Sequence, residues 1–259
     1  MSTDSPLLNP WKPGEAWVES ALAEAEFGEL RLIQHSSNYV FLADLEHPEH
    51  GHGLGIYKPS AGEQPLYDFP DDLYQREIAA YEFARLLGWD IIPPTVEAEG
   101  PHGVGSLQLF IEHDPRKHYF ELRDRDALDW QFIRFAIFDL VANNADRKGG
   151  HLLLDEGGTS GAEPHIWGID NGLCFHEVEK FRSVIWDFAG TTIPDGWLDD
   201  LRRVRGCLDA GDPTAQPLIE RLAAREISAI LDRIDFYLDH PALPEMDSFP
   251  RRVVPWPMV

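Results

Sequence analysis

The strongest chemical signal in the sequence is the polar, glycine-rich segment 143–151 (NNADRKGGH), which stands between two apolar runs and must therefore lie at a surface or in a cleft. In such a segment Asp146 can orient a hydroxyl nucleophile or accept its proton, and His151, five positions on, can reach a metal ion. The adjacent Arg147 and Lys148 can offset negative charge on a transferred group. Loops of this composition also cap helices for structural reasons alone, which is the competing interpretation.

A second carboxylate, Asp170, follows an apolar strand-like run in the segment GIDNG. Gly172 permits a sharp turn there, so the Asp170 side chain would stand at a strand end, a frequent place for a Mg²⁺ ligand. Taken alone, an Asp-Asn-Gly sequence is only a hairpin signal.

Lys58 lies on the predicted strand 53–59, from which it can point into a cleft and neutralise phosphate charge. Such a lysine needs a carboxylate to hold it, and the next predicted helix offers Glu77 and Glu82. We favour Glu77 because it precedes the apolar stripe of that helix. The alternative is a surface lysine at a sheet edge with two solvated glutamates.

The turn at Ser36, Ser37 and Asn38 separates two β-prone runs. Its backbone amides and hydroxyls can surround phosphate oxygens, although an ordinary hairpin turn has the same composition.

The elements that would position these residues change character along the chain. The first half predicts strands at 29–34, 39–45, 53–59, 89–97 and 105–112, a short helix within 14–30 and a prominent amphipathic helix at 73–87. The second half predicts helices at 126–143 and 214–240 and short strands at 151–154 and 165–169. We therefore expect residues 1–112 and 113–259 to form two units with the ligand in the cleft between them.

Composition narrows the function further. Among 259 residues, 22 Lys and Arg face 45 Asp and Glu, and the net charge of -23 disfavours nucleic acids and anionic lipid surfaces as partners. Only Cys174 and Cys207 are present, and no apolar run approaches the roughly 18 residues of a membrane helix. We expect a cytoplasmic protein with two reduced thiols and no integral membrane association.

In chain order, YKP with Lys58, REIAAYEFARLLG with Glu77, NNADRKGGH with Asp146 and GIDNG with Asp170 resemble the atypical protein kinases. This order recurs in phosphatidylinositol 3- and 4-kinases, HipA-type bacterial kinases, secretory-pathway casein kinases and an actinobacterial family described as phosphatidylinositol-kinase-like. The resemblance covers residues 31–176. It implies an α+β, two-lobed protein-kinase-like fold with a β-rich N-lobe and a mainly helical C-lobe.

The resemblance also implies roles. Lys58 would contact the α- and β-phosphates of ATP with Glu77 as its partner, and Asp146 would be the catalytic carboxylate. Asp170 and His151 would hold a divalent cation. Phosphates would be covered by Ser36, Ser37 and Asn38. Adenine would bind a hinge within 105–112, at Gln108, Leu109, Phe110 and Ile111.

His151 departs from the family pattern, because the relatives usually carry Asn at that position. Imidazole is a poor Mg²⁺ ligand but suits Mn²⁺ or Zn²⁺, which leaves a preference for Mn²⁺, a single-metal enzyme or a silent nucleotide binder open. The Ser-Ser-Asn turn, in place of a glycine-rich loop, is a second departure.

We predict an ATP-dependent phosphotransferase that acts on a hydroxyl of a small molecule or a protein. The alternatives are a pseudokinase that regulates a partner, a nucleotidyltransferase on the same fold, and a metal-dependent hydrolase built on Asp146, His151 and Asp170.

Overall fold

A five-stranded antiparallel sheet occupies the first half of the chain in the computed structural model, which describes residues 8–34, 38–157 and 163–259. Its strands are β1 (Glu26–Leu32), β2 (Phe41–His47), β3 (Gly51–Pro59), β4 (Thr95–Gly100) and β5 (Gly103–Leu109). Their spatial order is β1-β2-β3-β5-β4. Two helices pack on the sheet, α1 (Val18–Glu24) and α2 (Leu73–Leu87). We call the five strands and these two helices the sheet region.

The two faces of the sheet differ in what covers them. One face buries Tyr57, Leu107 and Leu109 in a core that includes α1 and the Trp11 ring. Side chains alternate along a strand, so Lys58, next to Tyr57, projects from the opposite face. In the register of β3 with β5, Lys58 stands opposite Ser106. The sequence pattern therefore directs the lysine away from the α1 core.

Helix α2 connects the sheet region to the rest of the molecule. It contacts β4 and β5 on one side and the helical part of the chain on the other. Gly88 ends the helix in the left-handed conformation, with φ of 72°, which glycine adopts without strain. The buried Phe83 and Ile78 of α2 fix its position, and its residue Glu77 is thereby held at a defined depth.

The second half is mainly helical and has its own apolar core. It contains α3 (Tyr119–Leu122), α4 (Asp129–Ala142), α5 (Asp195–Ala210), α6 (Gln216–Ile219), α7 (Ala224–Asp239) and a hairpin of β6 (Leu152–Asp155) with β7 (His165–Gly168). Helix α4 is buried on most sides, as an almost entirely apolar helix must be. We call residues 119–239 the helical region.

The α+β, protein-kinase-like fold expected from the sequence is confirmed, with differences in detail. The bounds of α2 agree with the prediction. The strand predicted from residue 89 begins only at Thr95, because Pro93 and Pro94 lack the N–H that a ladder needs. The helix predicted over 214–240 is divided into α6 and α7, and α5 is an additional element.

Two further expectations concern thiols and membranes. Cys174 and Cys207 are both free thiols rather than a disulfide. Within the part of the chain that the structure describes, none of the helices has the length and apolar character needed to cross a bilayer.

Candidate active site

A cavity of about 490 Å³ lies where the sheet region faces the helical region. This volume falls in the range of small-molecule sites, roughly 300–1,000 Å³. The predicted residues that line it are Asn38, Lys58, Glu77, Asp146, His151 and Asp170. Side chains that are more than 100 positions apart in the sequence thus surround one space.

Lys58 connects the two regions across this cavity. Its Nζ lies 2.5 Å from Glu77 Oε1 on α2 and also donates to Asp170 Oδ1, on the loop after β7. Glu77 is 5% exposed, and its second oxygen accepts the backbone N–H of Asn171 at 2.9 Å. One carboxylate therefore positions both the strand lysine and the loop that carries Asp170. Glu82, the other candidate, instead pairs with Arg85 at 2.9 Å.

The charges of this group stabilise one another. Burial disfavours the Lys58 ammonium, but Asp170 and Glu77 together outweigh it and raise the pKa of Lys58 above its ordinary value. The Lys58 ammonium in turn holds the pKa of Asp170 far below the usual range, against the effect of burial. Both groups are therefore charged at neutral pH.

Asp146 is placed by the segment 143–151 itself. Its backbone N–H donates to Asn144 Oδ1 at 2.9 Å, and its carboxylate lies 2.9 Å from Lys148 Nζ. Burial raises the pKa of Asp146, while the hydrogen bond from Lys148 acts in the opposite direction. A partly desolvated carboxylate beside a cation can accept or orient a hydroxyl proton.

His151 faces Asp170, with 3.3 Å between Nε2 and Oδ2. Burial lowers the pKa of His151 to about 4, so the ring is neutral near pH 7. Its Nδ1 accepts the Lys148 backbone N–H at 3.4 Å, which leaves the ring proton on Nε2. In this tautomer Nε2 carries the proton, and a cation would bind Nε2 only in the other tautomer; the expected role of His151 as a metal ligand stays a prediction.

Arg147, predicted to offset charge on a transferred group, is buried away from the cavity. The side chain is fully buried and forms a double ion pair with Asp139 of α4, with Nε–Oδ2 and Nη2–Oδ1 distances of 2.9 Å. Its Nη1 donates to the Ile169 carbonyl at 2.9 Å and its Nη2 to Asn171 Oδ1 at 2.8 Å. Arg147 therefore lies outside the lining of the cavity, whereas Lys148 is part of it.

Asp139 and Asn171, which fix this arrangement, were not among the residues predicted from the sequence. The Asp139 carboxylate within the otherwise apolar run 135–142 was the available signal, because a buried charge must have a partner. Nothing in the local sequence indicates that the partner is Arg147.

Of the residues expected to cover the phosphates and to bind adenine, only Asn38 lines the cavity among those that the structure describes. Ser36 and Ser37 lie outside the described residues, and Asn38 Oδ1 accepts the Gln64 backbone N–H at 2.8 Å. None of the four expected hinge residues, Gln108, Leu109, Phe110 and Ile111, lines the 490 Å³ cavity.

Strand β5 extends to Leu109, so a connecting segment begins only at Phe110 rather than within the strand. Gln108 is buried and donates to Thr95 Oγ1 at 2.9 Å. The Phe110 carbonyl accepts Asn9 Nδ2 at 2.8 Å, and the same amide nitrogen donates to the Leu54 carbonyl at 3.0 Å. The N-terminal segment thus fastens the end of β5 to β3.

A cation bound in the cavity would need ligands beyond the protein side chains. In the described part of the chain no three His, Cys, Asp or Glu side chains converge as a self-contained metal site. The Asp170 carboxylate fits a hard divalent cation that takes its remaining ligands from phosphates and water, as Mg²⁺ commonly does.

Comparison with known proteins supports the fold and identifies a relative. No protein-family model matches the sequence. The chain is 37% identical over 279 aligned positions to protein Rv2133c of Mycobacterium tuberculosis, covering 92% of this chain and 94% of that protein.

Solved structures share the architecture at low sequence identity. The Golgi casein kinase with Mn/ADP bound matches with a TM-score of 0.55 at 12% identity, over 86% of this chain and 74% of that one. Hydra Fam20 with sugar matches with a TM-score of 0.52 at 15% identity, over 86% of each chain. The resemblance to atypical kinases holds for the fold through these proteins, whereas a specific likeness to phosphatidylinositol or HipA-type kinases is not shown. This protein-kinase-like chain belongs to the same family as Rv2133c of Mycobacterium tuberculosis.

Proposed function

We propose that the protein is an ATP-dependent phosphotransferase that moves the γ-phosphoryl group to a hydroxyl of a small molecule or a protein. One observation carries the proposal: the ammonium of Lys58, held by a buried glutamate, meets Asp170 across a cavity that Asp146 also lines. Such groups are costly to gather, and a nucleotide with a cation gives each of them a partner.

The charge balance of the cavity favours a metal-bound nucleotide. Among the described residues, two ammonium groups and four carboxylates line it, namely Lys58, Lys148, Glu63, Glu77, Asp146 and Asp170. This excess of negative charge repels a free triphosphate. A divalent cation between Asp170 and the phosphates removes the repulsion, so we expect nucleotide and metal to bind together. The Mn/ADP complex of the Golgi casein kinase supports this expectation at the level of the fold.

The residues then have distinct tasks. Lys58 binds the α- and β-phosphates, and Glu77 holds it in place. Asp146 orients the acceptor hydroxyl and receives its proton, while Lys148 keeps that carboxylate charged. The cation, when bound, neutralises and bridges phosphate oxygens.

We further propose that His151 acts on the metal site through Asp170. Its Nε2–H faces the carboxylate, so it fixes the orientation of a metal ligand in the way that outer hydrogen bonds usually do. Asn38, which lines the same cavity, would face the phosphates.

Calorimetric titration of the full chain with ATP, alone and with Mg²⁺ or Mn²⁺, tests the proposal. We expect metal-dependent binding that Lys58→Met and Asp170→Asn each reduce at least tenfold. Lys117→Met is the matched control, because that lysine pairs with Glu156 outside the cavity. Equal nucleotide affinity in all three variants would refute the site assignment.

Mass spectrometry of the reaction products separates the alternatives. Transfer of one phosphate with release of ADP supports the kinase, and transfer of AMP indicates a nucleotidyltransferase. Metal-dependent binding without any product indicates a pseudokinase, and hydrolysis without nucleotide binding indicates a metal-dependent hydrolase.

A further inference from the structure

A second cavity, of about 430 Å³, adjoins the candidate catalytic residue. Asp146 lines both this space and the 490 Å³ cavity that contains Lys58. The other walls are Arg182, Arg251, Arg252 and residues 254–256. We call this space the arginine pocket. A molecule bound in this pocket would reach the Asp146 carboxylate from the side that carries the arginines.

Arginines without a carboxylate partner are exceptional in this chain, in which 45 acidic residues face 22 basic ones. Among the described residues, the basic side chains that form no ion pair with a carboxylate are Arg134, Arg182, Arg233 and Arg252. Two of these four line the arginine pocket.

Arg134 and Arg233 are held away from the pocket by structural contacts; Arg252, within it, also lies 5.9 Å from the Trp256 ring centroid. Arg134 lies 4.8 and 5.0 Å from the ring centroids of Trp130 and Trp197. Arg233 is largely buried and donates to the Val141 carbonyl at 2.7 Å. Neither lines a cavity next to Asp146, whereas the arginine pocket places three guanidinium groups, two of them without an ion pair, around the single lining carboxylate of Asp146.

The contacts of the pocket arginines orient them without neutralising them. Arg182 donates to the Ala145 carbonyl at 3.4 Å, and Arg252 donates to the Val254 carbonyl at 2.9 Å. Arg251 is the exception, since it pairs with Glu179 at 2.9 Å. A guanidinium has five N–H donors, so Arg182 and Arg252 keep donors for a ligand. Guanidinium groups match the geometry of carboxylates and phosphates.

We propose that the arginine pocket binds the anionic group of the phosphoryl acceptor, and that this acceptor is a small alcohol carrying a phosphate monoester or a carboxylate. The inference rests on the proposed function. The volume suits a small molecule. An anion that approaches a chain with a charge of -23 needs a local excess of positive charge, and the two unpaired arginines provide it.

In the proposed reaction, the γ-phosphoryl group of ATP moves to the hydroxyl of the acceptor. The acceptor oxygen forms a bond to the γ-phosphorus while the bond between that phosphorus and the β,γ-bridging oxygen breaks and ADP leaves. The hydroxyl proton passes to Asp146 and then to solvent. Arg182 and Arg252 hold the anionic end and take no part in the bond changes.

Binding of a matched set of probes to the full chain tests the inference. Glycerol 3-phosphate, glycerate and glycerol are titrated in the presence of saturating Mg²⁺ and a non-hydrolysable ATP analogue, which fills the nucleotide cavity. We expect at least one anionic probe to bind at least tenfold more tightly than glycerol. Arg182→Gln combined with Arg252→Gln should remove this difference, and Arg202→Gln, an exposed arginine paired with Asp199, should retain it.

The single variants Arg182→Gln and Arg252→Gln are measured as well, so that the test does not depend on the folding of the double variant. Far-UV circular dichroism checks the secondary structure of every variant. The two anionic probes distinguish phosphate from carboxylate recognition. Anionic probes that bind no better than glycerol, or equally well to every variant, overturn the inference. Nucleotide affinity is measured on the same samples, so nucleotide binding with no arginine-dependent anion binding refutes the acceptor pocket alone. Arginine-dependent anion binding without any nucleotide binding refutes the proposed function and, with it, the assignment of the pocket to an acceptor.

Discussion

Replacing Asp139 with Asn isolates the buried ion pair beneath the cavity. Both side chains of the Asp139–Arg147 pair are 0% exposed, and the substitution keeps the size of the side chain while removing its charge. Breaking a buried pair from one side costs about 3–5 kcal/mol, because the remaining charge stays desolvated. Since domains are stable by only about 5–15 kcal/mol, the loss is a large fraction of the total. At about 2–4 °C per kcal/mol for a chain of this size, the melting temperature should fall by about 6–20 °C.

Denaturant and thermal unfolding, followed by circular dichroism, measure this change. Asp199→Asn is the control, because Asp199 forms an exposed pair with Arg202 and its loss should cost less than about 0.5 kcal/mol. A double variant, Asp139→Leu with Arg147→Met, should recover part of the lost stability, since no unpaired charge remains. If Asp139→Asn destabilises no more than Asp199→Asn, Arg147 is not the buried structural residue described above.

Three more outcomes are expected at other positions. Glu77→Gln should weaken metal-ATP binding about tenfold in calorimetry, because it removes one of the two carboxylates that hold the strand lysine, while Glu82→Gln on the same helix should not. Gly105→Ala should destabilise by more than about 2 kcal/mol, since the added Cβ would lie 2.7 Å from a backbone Cα of β3, whereas Gly206→Ala, with open space on α5, should stabilise by up to about 1 kcal/mol. The Asp146 carboxylate should protonate, as pH falls, above the ordinary Asp value near 3.9, and ¹³C NMR titration at or below that value would contradict the effect of burial.

Local sequence patterns were sufficient for part of the fold and of the site. Helix α2 has an apolar stripe and ends at Gly88, so its bounds followed from periodicity and a terminal glycine. Lys58 was found because it lies on a predicted strand from which it can point into a cleft, and Asp170 because it follows an apolar strand pattern. The ion pair that they form depends on how two distant segments pack, and only the order of the motifs indicated it.

Other features needed information that local patterns do not carry. Arg147 and Lys148 are adjacent and alike in charge, yet one is fully buried and the other lines the cavity. The difference depends on Asp139, which supplies the buried partner. The signal for α5 was present in the spacing of Leu198, Leu201 and Val204, which are all buried on one side of an otherwise charged helix.

The buried ion pair and the cavity lysine belong to one chain of contacts. Asp139 holds Arg147, Arg147 donates to Asn171 Oδ1, and the Asn171 backbone N–H donates to Glu77, which holds Lys58. Each contact joins a different element, from α4 through the two loops to α2 and β3. Each residue in this chain of contacts is held by its neighbours. Removing one residue, such as Arg147, therefore takes a partner away from the following residue, Asn171. Under the proposed function, the segment 143–151 would contribute to nucleotide binding in two ways, through Asp146 in the cavity and through Arg147 below it. We therefore expect the substitution Asp139→Asn to change the position of Lys58, although Asp139 itself is fully buried.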